Sequence, residues 1–429
     1  MRLRPPASDT AAARSEDLFR HRLDNQIDLR HPLIRLAERM SWAALEQSLQ
    51  GTLPPTPAGG GRPALPIRLM AGLLYLKHAY NLSDESVCER WLENPYWQFF
   101  TGEVFFQTRL PCDPTSLVRW RQRLGEAGVE ELLAQTISAA QAMRAVRPSE
   151  LDRVIVDSTV QEKAIAYPTD SRLLEVARGK LVKLARHHGL KLRQSYEREG
   201  PSLRRRASGY AHAKQFKRLR RVLRRQRTLL GRVIRDIQRK LPTISEGARS
   251  EMALWVNRAE RLHRQRPKDK KKLYALHAPE VECISTGKSR NPYEFGVKVG
   301  LAITARQGLI VGARSFPGNP YDGDTLAEQL EQVEILTQRK PKQLTRAQWR
   351  WVKRRQAIEP VIGHVKDDCR MRRCPLKGQV GDALHAVLCA AGYNLRWLMR
   401  WIAAFCAAIL AQLVAGLAAR RFRCELPAS

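Results

Sequence analysis

A chain of 429 residues with 43% hydrophobic content can supply two or three domains, or one large domain with an insertion, so a globular protein is expected. Lys and Arg number 75 against 42 Asp and Glu, and a net charge of +33 calls for a polyanionic partner, nucleic acid before an anionic membrane surface. The start, MRLRPPASDTAAARSEDLF, lacks the apolar core of an export signal, and eight cysteines without a CxxC pair exclude a disulfide framework, leaving reduced, buried thiols in a cytoplasmic protein. Cys369 and Cys374 with His364 match no common zinc spacing.

In chain order, residues 1–50 form a polar start and then a helical pattern through Leu33, Leu36, Met40, Ala44 and Leu45. The run GTLPPTPAGGGRPALP, 51–66, reads as a linker. Residues 67–148 read as an all-α unit. A helix enters through Pro66, a second starts near Ser83, and the aromatic block PYWQFFTGEVFF follows as core. In PCDPTSLVRWRQRLG, Asp113 caps and Gly125 ends a short helix carrying Arg119, Arg121 and Arg123, which suit a helix-turn-helix-type DNA reader. A further helix, Val129 to Met143, closes the unit.

RVIVDSTV, 153–160, predicts a buried strand with Asp157 near its end. Residues 161–284 then read as a basic helical insertion. Leu174, Ala177, Leu181 and Leu184 make one seam, and Phe216, Leu219, Leu223, Leu230, Ile234, Ile237 and Leu241 another, which predicts an antiparallel helical hairpin. Between Pro201 and Lys240 stand fifteen Lys or Arg and one acid, Asp236. Arg204, Arg205 and Arg206 form a first group of candidate phosphate contacts. Lys217, Arg218, Arg220, Arg221, Arg224 and Arg225 form a second.

YEFGVKVGLAIT and GLIVGARSFPGN predict a β-hairpin, and Leu326, Leu330, Val333 and Leu336 predict the buried face of a helix over Thr325–Leu336. Another helix is expected from about Thr345, and GDALHAVLCAAGYNLRWLMRW supplies the last amphipathic one. The tail, 401–429, contains WIAAFCAAILAQLVAGLAA, nearly long enough to span a bilayer. Its alanine content, Gln412 and Gly416 favour a packing or oligomerisation helix.

Several blocks carry a resemblance: VIVDSTVQEKAIAYPTDSRL, GKSRNPYEFGVKVGLAIT, GNPYDGDTLAEQLEQ and RRQAIEPVIGHVKDD, preceded by LSDESVCERWLENPYWQFFTGEVFFQTRLPCDPTSLVRWRQRLG. Together they resemble, in order over roughly residues 30 to 400, bacterial DDE transposases of the insertion sequence five group, in the insertion sequence four/five superfamily. The resemblance implies an α-rich α/β protein with a ribonuclease-H-like core split over 149–160 and 285–400. It further implies Mg²⁺ or Mn²⁺ as cofactor, double-stranded DNA (terminal inverted repeats and target) as partner, a homodimer as a possible assembly, and a nucleoid-associated cytoplasmic location. Two-metal DNA cleavage needs hard oxygen ligands from separate elements. Carried over, Asp157 is the first metal-binding acid and Glu359 the last.

Around Glu359 the family signature is Tyr, two residues, Arg, three residues, Glu, six residues, Lys. Arg355 and Lys366 keep that spacing, Val352 replaces the Tyr, and on one helix Arg355, Glu359 and Lys366 would share a face toward DNA phosphates. The family's second acid falls in an interval that here reads TQRKPKQLTRAQWRWVKRRQAI, without Asp or Glu and too short for the missing strands. The expectation is an internal deletion near Lys342, a truncated core and impaired catalysis, with metal weakly held or lost. Asp322 and Asp324 belong to the preceding block and are not read as replacements. The alternatives are a degenerate DNA-binding protein without chemistry, and a basic RNA-binding protein.

Overall fold

The structure is a computed structural model, and residues 21–52, 64–287, 289, 292–341 and 355–424 are described. Most of the expected linker, Val352 and most of the shortened interval lie outside them, and Gly51 and Thr52 extend a helix. The chain divides into two compact units, one of Met1–Gln161, Lys298–Phe316 and Pro320–Ser429, the other of Glu162–Val297 with Pro317–Asn319.

The first unit begins with α1 (Pro32–Arg39) and α2 (Trp42–Thr52), so the expected single helical pattern breaks after Arg39. α3 (Ile67–Ala79) is buried on nearly every side. Ser83 Oγ accepts from the Ser86 amide at 3.0 Å to cap α4 (Asp84–Glu93), and Asn94 caps α5 (Pro95–Phe100). α6 (Pro114–Ala142) is capped by Asp113 and kinks at Gly125, whose φ of 61° a side chain would strain. The kink falls where the sequence places a helix end.

These helices do not stand apart as a separate DNA-binding body. α13 (Gly378–Cys424) packs along both α3 and α6, within one unit that also holds the sheet residues around Asp157. Asn394 on α13 stitches the layers. Its Oδ1 accepts from the Ile310 amide at 3.0 Å, and its Nδ2 donates to Ile310 O and Thr136 Oγ1 at 2.8 and 2.9 Å. Burying such an amide is tolerable because these bonds satisfy it.

The sheet comprises β1 (Val154–Glu162), β2 (Glu282–Ser285), β3 (Tyr293–Thr304) and β4 (Ile310–Phe316). β3 pairs antiparallel with β4 as the expected hairpin, with an irregularity between Ala302 and Ile303. Among the described residues β1 has β3 as its only strand partner. α11 (Asp322–Thr337) packs on β4 through part of the expected face: Val333 and Leu336 are buried, Leu330 is half-buried and Leu326 is exposed, while Thr325, Gln329 and Gln332 are buried beside them. Gln332 takes both polar groups of Ala313, accepting from its amide and donating to its carbonyl. A Cβ at Gly312 would lie 2.6 Å from Gln329 Nε2, and one at Gly300 2.5 Å from its Oε1, so the two glycines make room for the amide.

The second unit is a bundle of α7 (Asp170–His187), α8 (Glu199–His212), α9 (Phe216–Lys240) and α10 (Glu246–Arg264) rather than a two-helix hairpin. The expected seams of α7 and α9 meet through Leu174, Leu181, Leu230 and Ile237, joined by Met252, Val256, Ala259 and Leu262 from α10. Leu203 and Ala207 of α8 pack on Val222 and Leu229. Phe216, counted in the α9 seam, is exposed because it sits at the helix start, before the bundle closes.

Candidate active site

In the first unit, three segments distant in the sequence converge on β1. Asp157 Oδ1 accepts from the Ser158 amide at 2.9 Å and from Arg355 Nη2 at 2.7 Å. Ser158 Oγ donates to Asp322 Oδ1 at 2.9 Å. Lys298 Nζ on β3 donates to that same oxygen at 3.1 Å and to Pro320 O at 2.5 Å.

Asp322 opens α11, where a helix N-terminus favours negative charge. Burial alone would raise its carboxyl; the Ser158 and Lys298 hydrogen bonds and the Lys298 and Arg355 charges hold it below the usual carboxylate range. Arg355 is raised, first by its hydrogen bond to Asp157, then by that carboxylate's charge, with Asp322 and Glu359 adding further attraction. One guanidinium thus feels three carboxylates. Glu359 is exposed at the first position of α12 (Glu359–Asp367).

Asp322 is the residue the sequence reading set aside. It lies in a block separate from the family's second-acid interval, and only the return of the chain to β1 brings it beside Asp157. Its signal was the pair Asp322 and Asp324 entering a helix after a Gly-Asn-Pro turn, which fits ordinary capping equally well.

Two carried-over cations behave differently from expectation. Arg355 lies in the 3-10 turn Arg355–Ile358 before α12, not on one helix face with Glu359, and it holds a carboxylate. Lys366 is 6% exposed at the end of α12 and has its own partner, so it offers no free ammonium to a phosphate. Its neighbours Val365 and Met371 are fully buried, which draws that end of the helix into the core.

The basic helix α6 also splits. Arg119 and Arg123 are exposed, whereas Arg121 is buried and gives both guanidinium nitrogens to Asp84, at 2.6 and 2.7 Å. Lys77 shares Asp84 at 2.7 Å. Two cations on one carboxylate leave Lys77 undersupplied, and burial pushes its ammonium down to about 8. Arg121 is therefore a structural residue and not a DNA contact, because α6 turns its face toward α4.

In the second unit Arg204, Arg205, Arg206, Lys217, Arg218, Arg220, Arg221, Arg224 and Arg225 are all exposed. Arg225 is paired with Glu199 at 2.6 Å, and Arg206 hydrogen-bonds Tyr210, lowering that phenol. Arg204 and Arg205 line a groove of α7, α8 and α9 with Arg172 and the exposed Tyr167.

The arrangement defines a class first: a helix-rich α/β protein with a small antiparallel sheet, an acidic cluster on a strand and a strongly basic helical unit. The family follows from the comparisons. Residues 21–123 match the model "Transposase domain (DUF772)", and residues 324–399 match "Transposase DDE domain". The chain is 52% identical over 200 residues to "Uncharacterized protein ORF8 in nfe locus" of Rhizobium meliloti, a stretch covering 47% of this chain and 95% of that relative. No solved structure matches the chain. The chain belongs to the insertion-sequence transposases, and that family implies DNA as its partner.

Proposed function

We propose that this transposase, of the insertion sequence five group, binds the terminal repeats of its element and cleaves and joins DNA with Mg²⁺ or Mn²⁺ at Asp157, Asp322 and Glu359. The observation that carries the reading is the convergence of these acids around Arg355, with Asp157 and Asp322 linked through Ser158. The donor set fits the metal: hard carboxylate oxygens from three separate elements, now neutralised by the side-chain cations Arg355 and Lys298. A bound divalent ion would activate the attacking oxygen and stabilise the leaving oxygen of a phosphodiester.

The chain's own residues do the rest. Ser158 fixes the separation of Asp157 and Asp322 through its amide and hydroxyl, and Lys298 holds Asp322 ionised. Arg355, 61% exposed, is the group placed to swing from Asp157 to a DNA phosphate. Exposed arginines of α8 and α9 supply sequence-independent phosphate contacts.

The interval 337–358 contains no Asp or Glu, so the family's second acid is not drawn from it. We take this as an internal deletion from a ribonuclease-H-like core, one that leaves strand transfer weaker than in intact relatives. The test is metal-dependent nicking of the element's terminal-repeat DNA. Nicking that disappears in Asp157→Ala supports the enzyme. A gel shift of the same DNA without nicking at any metal concentration supports the second reading, a DNA-binding protein without chemistry, which the missing acid favours.

A further inference from the structure

Away from the acidic cluster, two histidines and a cysteine meet in the core of the first unit. His385 and Cys389 are four residues apart on α13 and so share a helix face. His78 comes from the last turn of α3. The two helices touch at Gly392, where a Cβ would stand 2.6 Å from His78 Cβ and 2.7 Å from the His78 carbonyl carbon. The side chains of the three residues are buried, and their ligand atoms all lie within 4.8 Å of one another.

Each ring is already oriented. His78 Nδ1 lies 2.9 Å from Leu74 O, and His385 Nε2 lies 3.1 Å from Arg370 O. A carbonyl only accepts, so each of these nitrogens carries the proton, and the other nitrogen of each ring presents a lone pair. A backbone carbonyl fixing the far side of an imidazole is the outer-shell arrangement that metal-binding histidines use. Both rings are almost fully buried, and a neutral imidazole is the form that binds a metal.

We propose that His78, His385 and Cys389 form a buried site for one zinc ion that pins the N-terminal transposase segment to the DDE segment. His78 falls in the first matched segment, and His385 and Cys389 fall in the second. Imidazole with thiolate is a borderline-soft donor set that suits zinc rather than the magnesium of the carboxylate cluster.

Charge decides the fourth ligand. Lys77, Arg121 and Arg370 all act on this region with Asp84 as the acid between the first two, so a dication needs thiolate nearby. Cys369 and Cys374 are fully buried and close enough to act electrostatically on Cys389. Zinc bound by Cys389 and one of these thiols would release two protons, one from each sulfur, and leave the centre neutral. Zn–N distances of about 2.0–2.1 Å and Zn–S of about 2.3 Å require the three ligand atoms to draw closer together on binding. No local spacing reveals the site, because His78 is remote in the chain from His385 and Cys389, and His364, the histidine nearest to Cys369 in sequence, bonds Asp368 at 2.9 Å.

The test uses the full chain. Metal content is measured after purification without chelator, and the metal-free chain is titrated with Co²⁺ and Zn²⁺. One equivalent of zinc, and an intense tetrahedral cobalt spectrum with a thiolate charge-transfer band that zinc abolishes, are expected. Cys389→Ser and His385→Gln should each weaken binding by more than the roughly 10- to 100-fold of an outer-shell change, while Cys406→Ser, at an exposed cysteine, leaves it unchanged. Folded wild-type chain, verified by circular dichroism, that neither retains zinc nor develops the cobalt band overturns the site. So does Cys389→Ser with the full band. Neither result bears on nicking at Asp157, so this inference and the proposed activity fail separately.

Discussion

In the basic bundle Arg204, Arg205, Arg221 and Arg224 stand exposed on helices whose apolar residues face inward. In the first unit Arg121 lies on an equally basic helix, yet it is 3% exposed and holds both oxygens of Asp84. The composition counts these arginines alike. What separates them is the neighbour across the helix: α9 meets α7 and α10 through aliphatic seams and turns its cations outward, whereas α6 meets the N-terminus of α4, where Asp84 can neutralise a guanidinium. A charge run therefore indicates how much phosphate a chain can bind, and tertiary neighbours decide which members of the run are available.

The largest effect should come from the acidic cluster, on which the contrast between chemistry and binding depends. Asp157→Asn should lower metal-dependent nicking by about 10³ or more, with the gel shift of repeat DNA nearly unchanged. Asp322→Asn should follow it in direction; full nicking in that variant would remove Asp322 from the proposed metal set. Next, Asp84→Ala should destabilise the fold by about 3–5 kcal/mol, read from urea midpoints, because it leaves Lys77 and Arg121 buried without their acid. Arg221→Gln, on the exposed side of the comparison, should stay within roughly 0.5 kcal/mol.

A smaller effect distinguishes the exposed arginines by function. Each of Arg204, Arg205, Arg221 and Arg224 that contacts a phosphate should, when changed to Gln, make the dependence of log affinity on log salt shallower by about 0.9. Titrations at several salt concentrations would measure this. An unchanged slope in the fourfold variant would locate the DNA surface elsewhere.

The smallest is a pH effect on the buried ion group. Asp84 keeps its carboxyl below the ordinary value: burial opposes this, and the Arg121 hydrogen bond with the Lys77 and Arg121 charges outweighs it. A depressed folded pKa adds stability above the unfolded value of about 3.9 and loses it as pH falls through the folded value. The gap in urea midpoint between wild type and Asp84→Asn should therefore be full at pH 6 and close below about pH 4.

The strand around Asp157, the hairpin that follows, the kink at Gly125 and the seams of α7 and α9 were legible because each is a local pattern: a short apolar run, a turn, a glycine or a helical spacing. Local pattern was only partly right at α11: Val333 and Leu336 face inward as the spacing predicts, but Leu326 is exposed, and packing against Gly300 and Gly312 draws Gln329 and Gln332 inward as well. At the candidate site Asp157 and Glu359 were readable from their motifs. Asp322 was not, because no local spacing relates it to a strand 164 residues away.

What the sequence determined by itself was the family, two candidate acids in Asp157 and Glu359, and a charge that demands a polyanion, since motif, order and composition survive in one dimension. What only the tertiary structure decided was the company each side chain keeps: Asp322 beside Asp157, Arg121 and Lys77 on Asp84, and His78 against His385 and Cys389. Burial and charge pairing depend on distances between segments remote in the chain, and the local periodicity of a sequence carries no record of them.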